Sequence, residues 1–134
     1  MNSKFMNIAL KEANKAYNKG EIPVGAVIVK NNKIIAKAYN KTESRKDCTM
    51  HAEILAIKKA SKKLNNWRLI DCEMYVTLEP CKMCEAAISF SRIKKVYFGV
   101  KNKSIFLKAN YKQLEEYEKE ITIILKKFFK QQRK

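Results

Sequence analysis

No uncharged apolar run in this chain approaches the ~20 residues a bilayer-spanning helix needs, so no membrane segment is expected. Met1 to Lys11 holds no basic segment followed by an apolar run and a small-residue cleavage site; a secretory leader is therefore not expected and a cytoplasmic location is. There is no internal repeat, Gly/Ser linker or low-complexity block, and 134 residues suit one compact domain spanning 1–134. Glycine and proline are scarce, at 3 and 2 residues, and acidic residues are scarce too, 13 against 29 Lys and Arg for a net charge of +16. An excess of Lys, Asn and Ile over Arg, Gly and Pro is what an AT-rich coding sequence produces, so compositional drift is the alternative source of this charge. Whatever its origin, such a charge attracts polyanions, and nucleic acid is the expected partner. In a reducing compartment the four cysteines read as metal ligands, reactive thiols or small core residues, not as a disulfide framework.

The hydrophobic periodicity changes along the chain. Ile8, Ala9, Glu12, Ala13, Ala16 and Tyr17 keep helical spacing up to Gly20. Val24 to Val29 and Lys33 to Tyr39 are β-rich runs around Lys30-Asn31-Asn32, a hairpin turn. After a polar loop through Lys41 to Asp47, a helix is expected from His51 to Lys63, a strand from Glu73 to Leu78, a helix from Cys81 to Phe90 and a strand from Lys94 to Val100. From Asn110 onward, Leu114, Tyr117, Ile121, Leu125 and Phe128 recur every three or four residues and predict a long terminal helix, with a short strand over Ile121 to Leu125 as the alternative. This order gives an α/β sandwich with a central mixed sheet.

Chemistry concentrates in His51-Ala52-Glu53 and, thirty positions later, Pro80-Cys81-Lys82-Met83-Cys84, each at the start of an expected helix. A Cys-x-x-Cys at a helix start aims two sulfurs at one point, where the helix dipole favours thiolates. His51, the chain's one histidine, supplies a third ligand if the two helix ends face each other. Three protein ligands leave a position for water, the mark of catalytic zinc; structural zinc needs a fourth, for which Cys48 and Cys72 are the candidates. Glu53 then stands outside the ligand set as the proton carrier.

With these motifs the chain resembles the cytidine deaminase-like superfamily, and within it the bacterial tRNA adenosine deaminases. The resemblance also covers Ile22-Pro23-Val24-Gly25-Ala26-Val27, Asn40, Trp67 to Asp71, Tyr75 to Cys81, Ser91-Arg92-Ile93, Tyr97-Phe98-Gly99 and Phe128-Phe129. It implies a three-layer α/β/α sandwich of four or five strands, one zinc ion per subunit, and hydrolysis of the wobble adenosine of a tRNA anticodon loop to inosine. It further implies that Asn40 hydrogen-bonds near the nucleotide, although a strand-end turn residue is the alternative, that Val24, Ala52 and Pro80 line the pocket, and that the enzyme is a homodimer. The terminal cluster from Phe128 to Lys134 reads either as a helix end docking its rings or as a nucleic-acid contact through Phe128.

Some positions depart from the family pattern. Asp47-Cys48-Thr49-Met50 stands where Asp-Pro-Thr-Ala is usual, which is expected to free the loop and to set a bulkier Met50 beside the metal. Asn102, in Val100-Lys101-Asn102, replaces an acidic residue. If it faces the substrate backbone it lowers repulsion of phosphate, which extends the expected substrates to deoxyadenosine in single-stranded DNA. The segment from Lys103 to Tyr117 is short, which leaves both four and five strands open for the sheet. Competing functions are a nucleoside or free-base deaminase acting on guanine, cytosine or cytidine, and a non-enzymatic zinc-stabilised RNA-binding module, in which Glu53 is dispensable and four protein ligands fill the metal.

Overall fold

The computed structural model describes residues 2–102 and 110–132. Helix α1 (Asn2–Asn18) leads into the hairpin β1 (Gly25–Lys30) and β2 (Lys33–Tyr39); a short helix α2 (Thr42–Arg45) and then α3 (Ala52–Leu64) follow. The units β3 (Cys72–Leu78), α4 (Lys82–Phe90) and β4 (Lys95–Val100) come next, then β5 (Tyr111–Gln113), a 3-10 turn (Glu115–Tyr117) and α5 (Glu118–Gln132). The hairpin turn is set by Asn31 and Asn32, both at positive φ (51° and 63°), the combination a two-residue turn of matching twist requires.

Five strands form one sheet in the order β2-β1-β3-β4-β5. The hairpin and the β1–β3 pair are antiparallel, whereas β3–β4 and β4–β5 are parallel. Alternation along the strands feeds two cores. Ala26, Ile28, Met74, Val76, Val96 and Phe98 pack with Leu55, Ala56 and Ala60 of α3 and Ile88 of α4. Val27, Val29, Tyr75 and Tyr97 face the other way, onto Phe5, Met6 and Ala9 of α1 and Ile121 of α5. The sheet is thus covered on both faces, and the mixed α/β sandwich expected from the sequence is the observed architecture. At the entry to β1, Gly25 lies so close to α1 that a Cβ there would collide with the Ala9 carbonyl oxygen and the Ala13 nitrogen.

Of the four or five strands expected, five are present: Tyr111 to Gln113 pair in parallel with Val96 to Phe98. One expectation for the C-terminal third is overturned. The terminal helix starts at Glu118 and not near Asn110. Leu114 and Tyr117 are buried with Ile121 as their spacing requires, but Leu114 precedes the 3-10 turn, Tyr117 lies in it and only Ile121 is in the helix. The alternative strand over Ile121 to Leu125 is helix. The polar loop after β2 holds the unexpected α2. Of the shortened segment, residues 103–109 lie outside the described residues, as do Arg133 and Lys134 of the terminal cluster.

Candidate active site

Two helix starts make the centre. His51 is the N-cap of α3 and Cys81 the N-cap of α4, both with extended backbone and neither using its side chain to cap its own helix. Each backbone carbonyl accepts the first helical hydrogen bond, from the Leu55 and Glu85 amides at 3.0 and 2.8 Å. The side chains are thereby released into the gap between the helices, where Cys84, one turn into α4, meets them. His51 Nδ1 lies 3.4 Å from Cys84 Sγ and 3.7 Å from Cys81 Sγ. The three ligand atoms lie within 4.8 Å of one another. A tetrahedron built on Zn–N of about 2.0–2.1 Å and Zn–S of about 2.3 Å has N–S edges of about 3.6 Å. The donor set therefore fits a tetrahedral zinc with one corner left over.

The other sulfur candidates stand apart. Cys48 is exposed and outside this group, and Cys72 is buried, its thiol donating to the Ile70 carbonyl at 3.7 Å. Among the described residues the protein offers three ligands, not four.

Electrostatics at the centre are governed by burial. Desolvation pushes the Glu53 carboxyl up to about 7, against hydrogen bonds from its own backbone N–H and the Cys84 thiol. Desolvation, with Glu53 and Cys81 adding to it, also pushes the Cys84 thiol up. For Cys84 the expected lowering by the helix dipole is thus outweighed, and a nearby divalent cation is what reverses that balance. Burial lowers the His51 pKa, favouring the neutral imidazole that a metal requires.

A cavity of about 140 Å³ opens beside the ligands, lined by His51, Glu53, Cys81 and Ala52 with Val24, Asn40 and Asn102. Residues 1–100 match the cytidine and deoxycytidylate deaminase zinc-binding region. The chain belongs to that family. Zinc is accordingly its cofactor, at the site formed by His51, Cys81 and Cys84. A tRNA-specific adenosine deaminase of Aquifex aeolicus is 56% identical over 99 residues, covering 74% of this chain and 66% of the relative. A tRNA:A34 deaminase studied for A-to-I editing at the wobble position of transfer RNA superposes with a TM-score of 0.75 at 45% identity, over 77% of this chain and 79% of the other. A guanine deaminase from Bacillus subtilis gives a TM-score of 0.71 at 42% identity, over 74% of this chain and 64% of the other. The chain spans no more than about two thirds of the length of the curated relatives it matches.

The remaining sequence-predicted residues fall in two groups. Val24, Asn40, Ala52 and Asn102 reach the cavity. Asn102 is tied to its wall, its backbone N–H donating to Glu79 Oε1 at 3.3 Å and its amide to the Glu79 carbonyl at 3.5 Å. Pro80 is buried in the turn before Cys81 and is not among the lining residues. Phe128 is not brought to the site: it is buried on α5 with its ring edge-on to Phe129 at 5.3 Å, because its side of the helix faces the protein. Of that pair, Phe129 is the exposed ring.

The loop before His51 also differs from expectation. Asp47 Oδ1 accepts from both the Thr49 N–H (2.8 Å) and the Thr49 hydroxyl (2.6 Å), so this turn holds the segment without the proline. Met50 is buried and packs in the α3-side core. Sequence reasoning missed Ile22, Thr42, Leu78 and Glu79, which also line the cavity. It missed Glu21 as well, a fully buried carboxylate next to the Pro-Val-Gly run. Thr42 is placed by α2, which no short motif marks; Ile22, Leu78 and Glu79 lie within resembling segments that were not read as cavity wall.

Proposed function

We propose that this chain, as one deaminase domain over residues 1–134, hydrolyses adenosine to inosine in nucleic acid, with the wobble adenosine of a tRNA anticodon loop as its substrate. The observation that carries the reading is the union of three ligands at tetrahedral spacing with a buried Glu53 on the wall of the same cavity. When bound, zinc supplies the Lewis acidity that makes a water nucleophilic near neutral pH. Glu53 takes the proton of the water that adds to C6 and returns it toward the ring and the leaving amine; ammonia departs and inosine remains. His51, Cys81 and Cys84 hold the metal, while Val24, Ala52 and Asn40 shape the cavity around a base splayed from a single-stranded loop, with Pro80 setting the turn behind it. The net charge of +16 supports a polyanionic substrate. The names of the similar proteins support tRNA in particular.

The protein works in the cytoplasm as a homodimer; among the described residues no helix is long and apolar enough to cross a membrane. The neutral Asn102 at the cavity wall extends the substrates to deoxyadenosine in single-stranded DNA. A second reading, deamination of a free purine base, is favoured by the similarity to a guanine deaminase. Incubating zinc-loaded protein separately with an adenosine-containing anticodon stem-loop, adenosine and guanine decides between them. Inosine from the stem-loop with the small molecules untouched supports the proposal, whereas xanthine from guanine with an unreacted stem-loop supports the second reading.

A further inference from the structure

One wall of the cavity hangs on a buried carboxylate that the deamination chemistry does not use. Glu21 is 1% exposed. Its two oxygens accept from the first backbone N–H groups of α2, Oε1 from Glu43 at 2.9 Å and Oε2 from Ser44 at 2.7 Å. These are amides that a helix start leaves without internal partners, and an anion there also opposes the helix dipole. Thr42, at the head of that helix and on the cavity wall, has its Oγ1 3.3 Å from Asn40 Nδ2, which donates to it. Asn40 is held at its other end by its own backbone N–H, which donates to the Val24 carbonyl at 3.1 Å.

We propose that Glu21 and Thr42 are positioning residues that fix the side-chain amide of Asn40 for substrate. The carboxylate holds α2, α2 holds the Thr42 hydroxyl, and that hydroxyl takes the nitrogen end of the Asn40 amide. In this arrangement the amide nitrogen is engaged by the hydroxyl, and the carbonyl oxygen is left to accept from a donor on the substrate. Without Thr42 Oγ1 the amide turns over freely and presents either end, so binding weakens while the zinc ligands and Glu53 keep their places. This inference rests on the reading of Asn40 as a substrate contact in the proposed deaminase.

The experiment uses the zinc-loaded full chain and the variants Thr42→Val, Thr42→Ser, Glu21→Ala and Glu21→Gln. It reads the solvent exchange of the Asn40 side-chain amide by NMR, and KM and kcat on the adenosine stem-loop. Thr42→Val is expected to speed Asn40 amide exchange and to raise KM about three- to tenfold, the worth of one hydrogen bond, with kcat within about twofold. Thr42→Ser restores both values, and Glu21→Ala reproduces the Thr42→Val result while still binding one zinc. Where Glu21→Ala does not fold, Glu21→Gln and the Thr42 pair carry the test. Parent-like amide exchange and KM in Thr42→Val overturn the proposal. A parent that leaves the stem-loop unreacted overturns the adenosine reading separately, and the amide exchange still decides the clamp.

Discussion

His51 Nδ1 and Cys84 Sγ stand 3.4 Å apart although 33 positions separate them in the chain. The contact exists because α3 and α4 both begin at the same end of the sheet, each with its N-cap side chain turned away from its own helix. The zinc site is therefore a tie between two helices, and its loss should be felt by the fold. The parent is expected to bind one zinc per chain, and His51→Ala, Cys81→Ala and Cys84→Ala to lose it. Cys48→Ser, altered at an exposed sulfur outside the group, keeps it. A chelator should lower the parent's Tm, since a metal held at ~1,000 times its Kd adds about 4 kcal/mol to folding stability. Metal analysis with thermal melts checks this, and zinc lost from Cys48→Ser would count against the three-ligand site.

Asn102 lies against Glu79, whose carboxyl is raised by burial. A carboxylate at position 102 would face a second carboxylate and any approaching phosphate. Asn102→Asp is expected to cut deamination of a deoxyadenosine stem-loop at least about tenfold, corresponding to ~1.4 kcal/mol, and to affect the RNA stem-loop less. Side-by-side kcat/KM values on the two substrates measure it. No product from DNA with the parent enzyme, under conditions where RNA is converted, removes the DNA activity.

The positive charge gives a salt prediction. If several phosphates are neutralised on binding, kcat/KM on the stem-loop falls at least about tenfold between roughly 50 and 200 mM salt, while kcat stays level. A flat profile would assign the lysines to compositional drift and favour a small uncharged substrate.

Gly25 tests the packing behind the cavity wall. Gly25→Ala sets a methyl against the backbone of α1 at Ala9 and Ala13, and α1 has to move away. The expected cost is about 1–3 kcal/mol, seen as a Tm lowered by roughly 5–10 °C. A Tm within about 2 °C of the parent would mean that α1 yields at little cost.

Much of this was legible in the sequence, and for identifiable reasons. His51, Glu53, Cys81 and Cys84 announce themselves because metal ligation restricts residue type and spacing, and their helix starts follow from the hydrophobic period after each motif. The order of helical and β-rich runs predicted a sheet between helices, and the structure buries Ala26 and Ile28 on one face and Val27 and Val29 on the other. The C-terminal third was less legible because Leu114, Tyr117 and Ile121 satisfy a helical period while only Ile121 lies in α5; burial on one side constrains spacing, not backbone type. The three-residue β5 is too short for a period-2 signal and is fixed by its neighbour β4. Glu21 and Thr42 were invisible for another reason: their roles are hydrogen bonds across the chain to α2 and to Asn40, and no spacing rule marks them.

The most direct measurement is inosine formation from an adenosine-containing anticodon stem-loop by zinc-loaded parent and by Glu53→Ala. Inosine from the parent, and a rate at least about a hundredfold lower from a variant that still holds one zinc, is the predicted result. Equal rates from the two proteins would contradict Glu53 as the proton carrier, and no inosine from a zinc-loaded parent would contradict the anticodon-loop adenosine as the substrate.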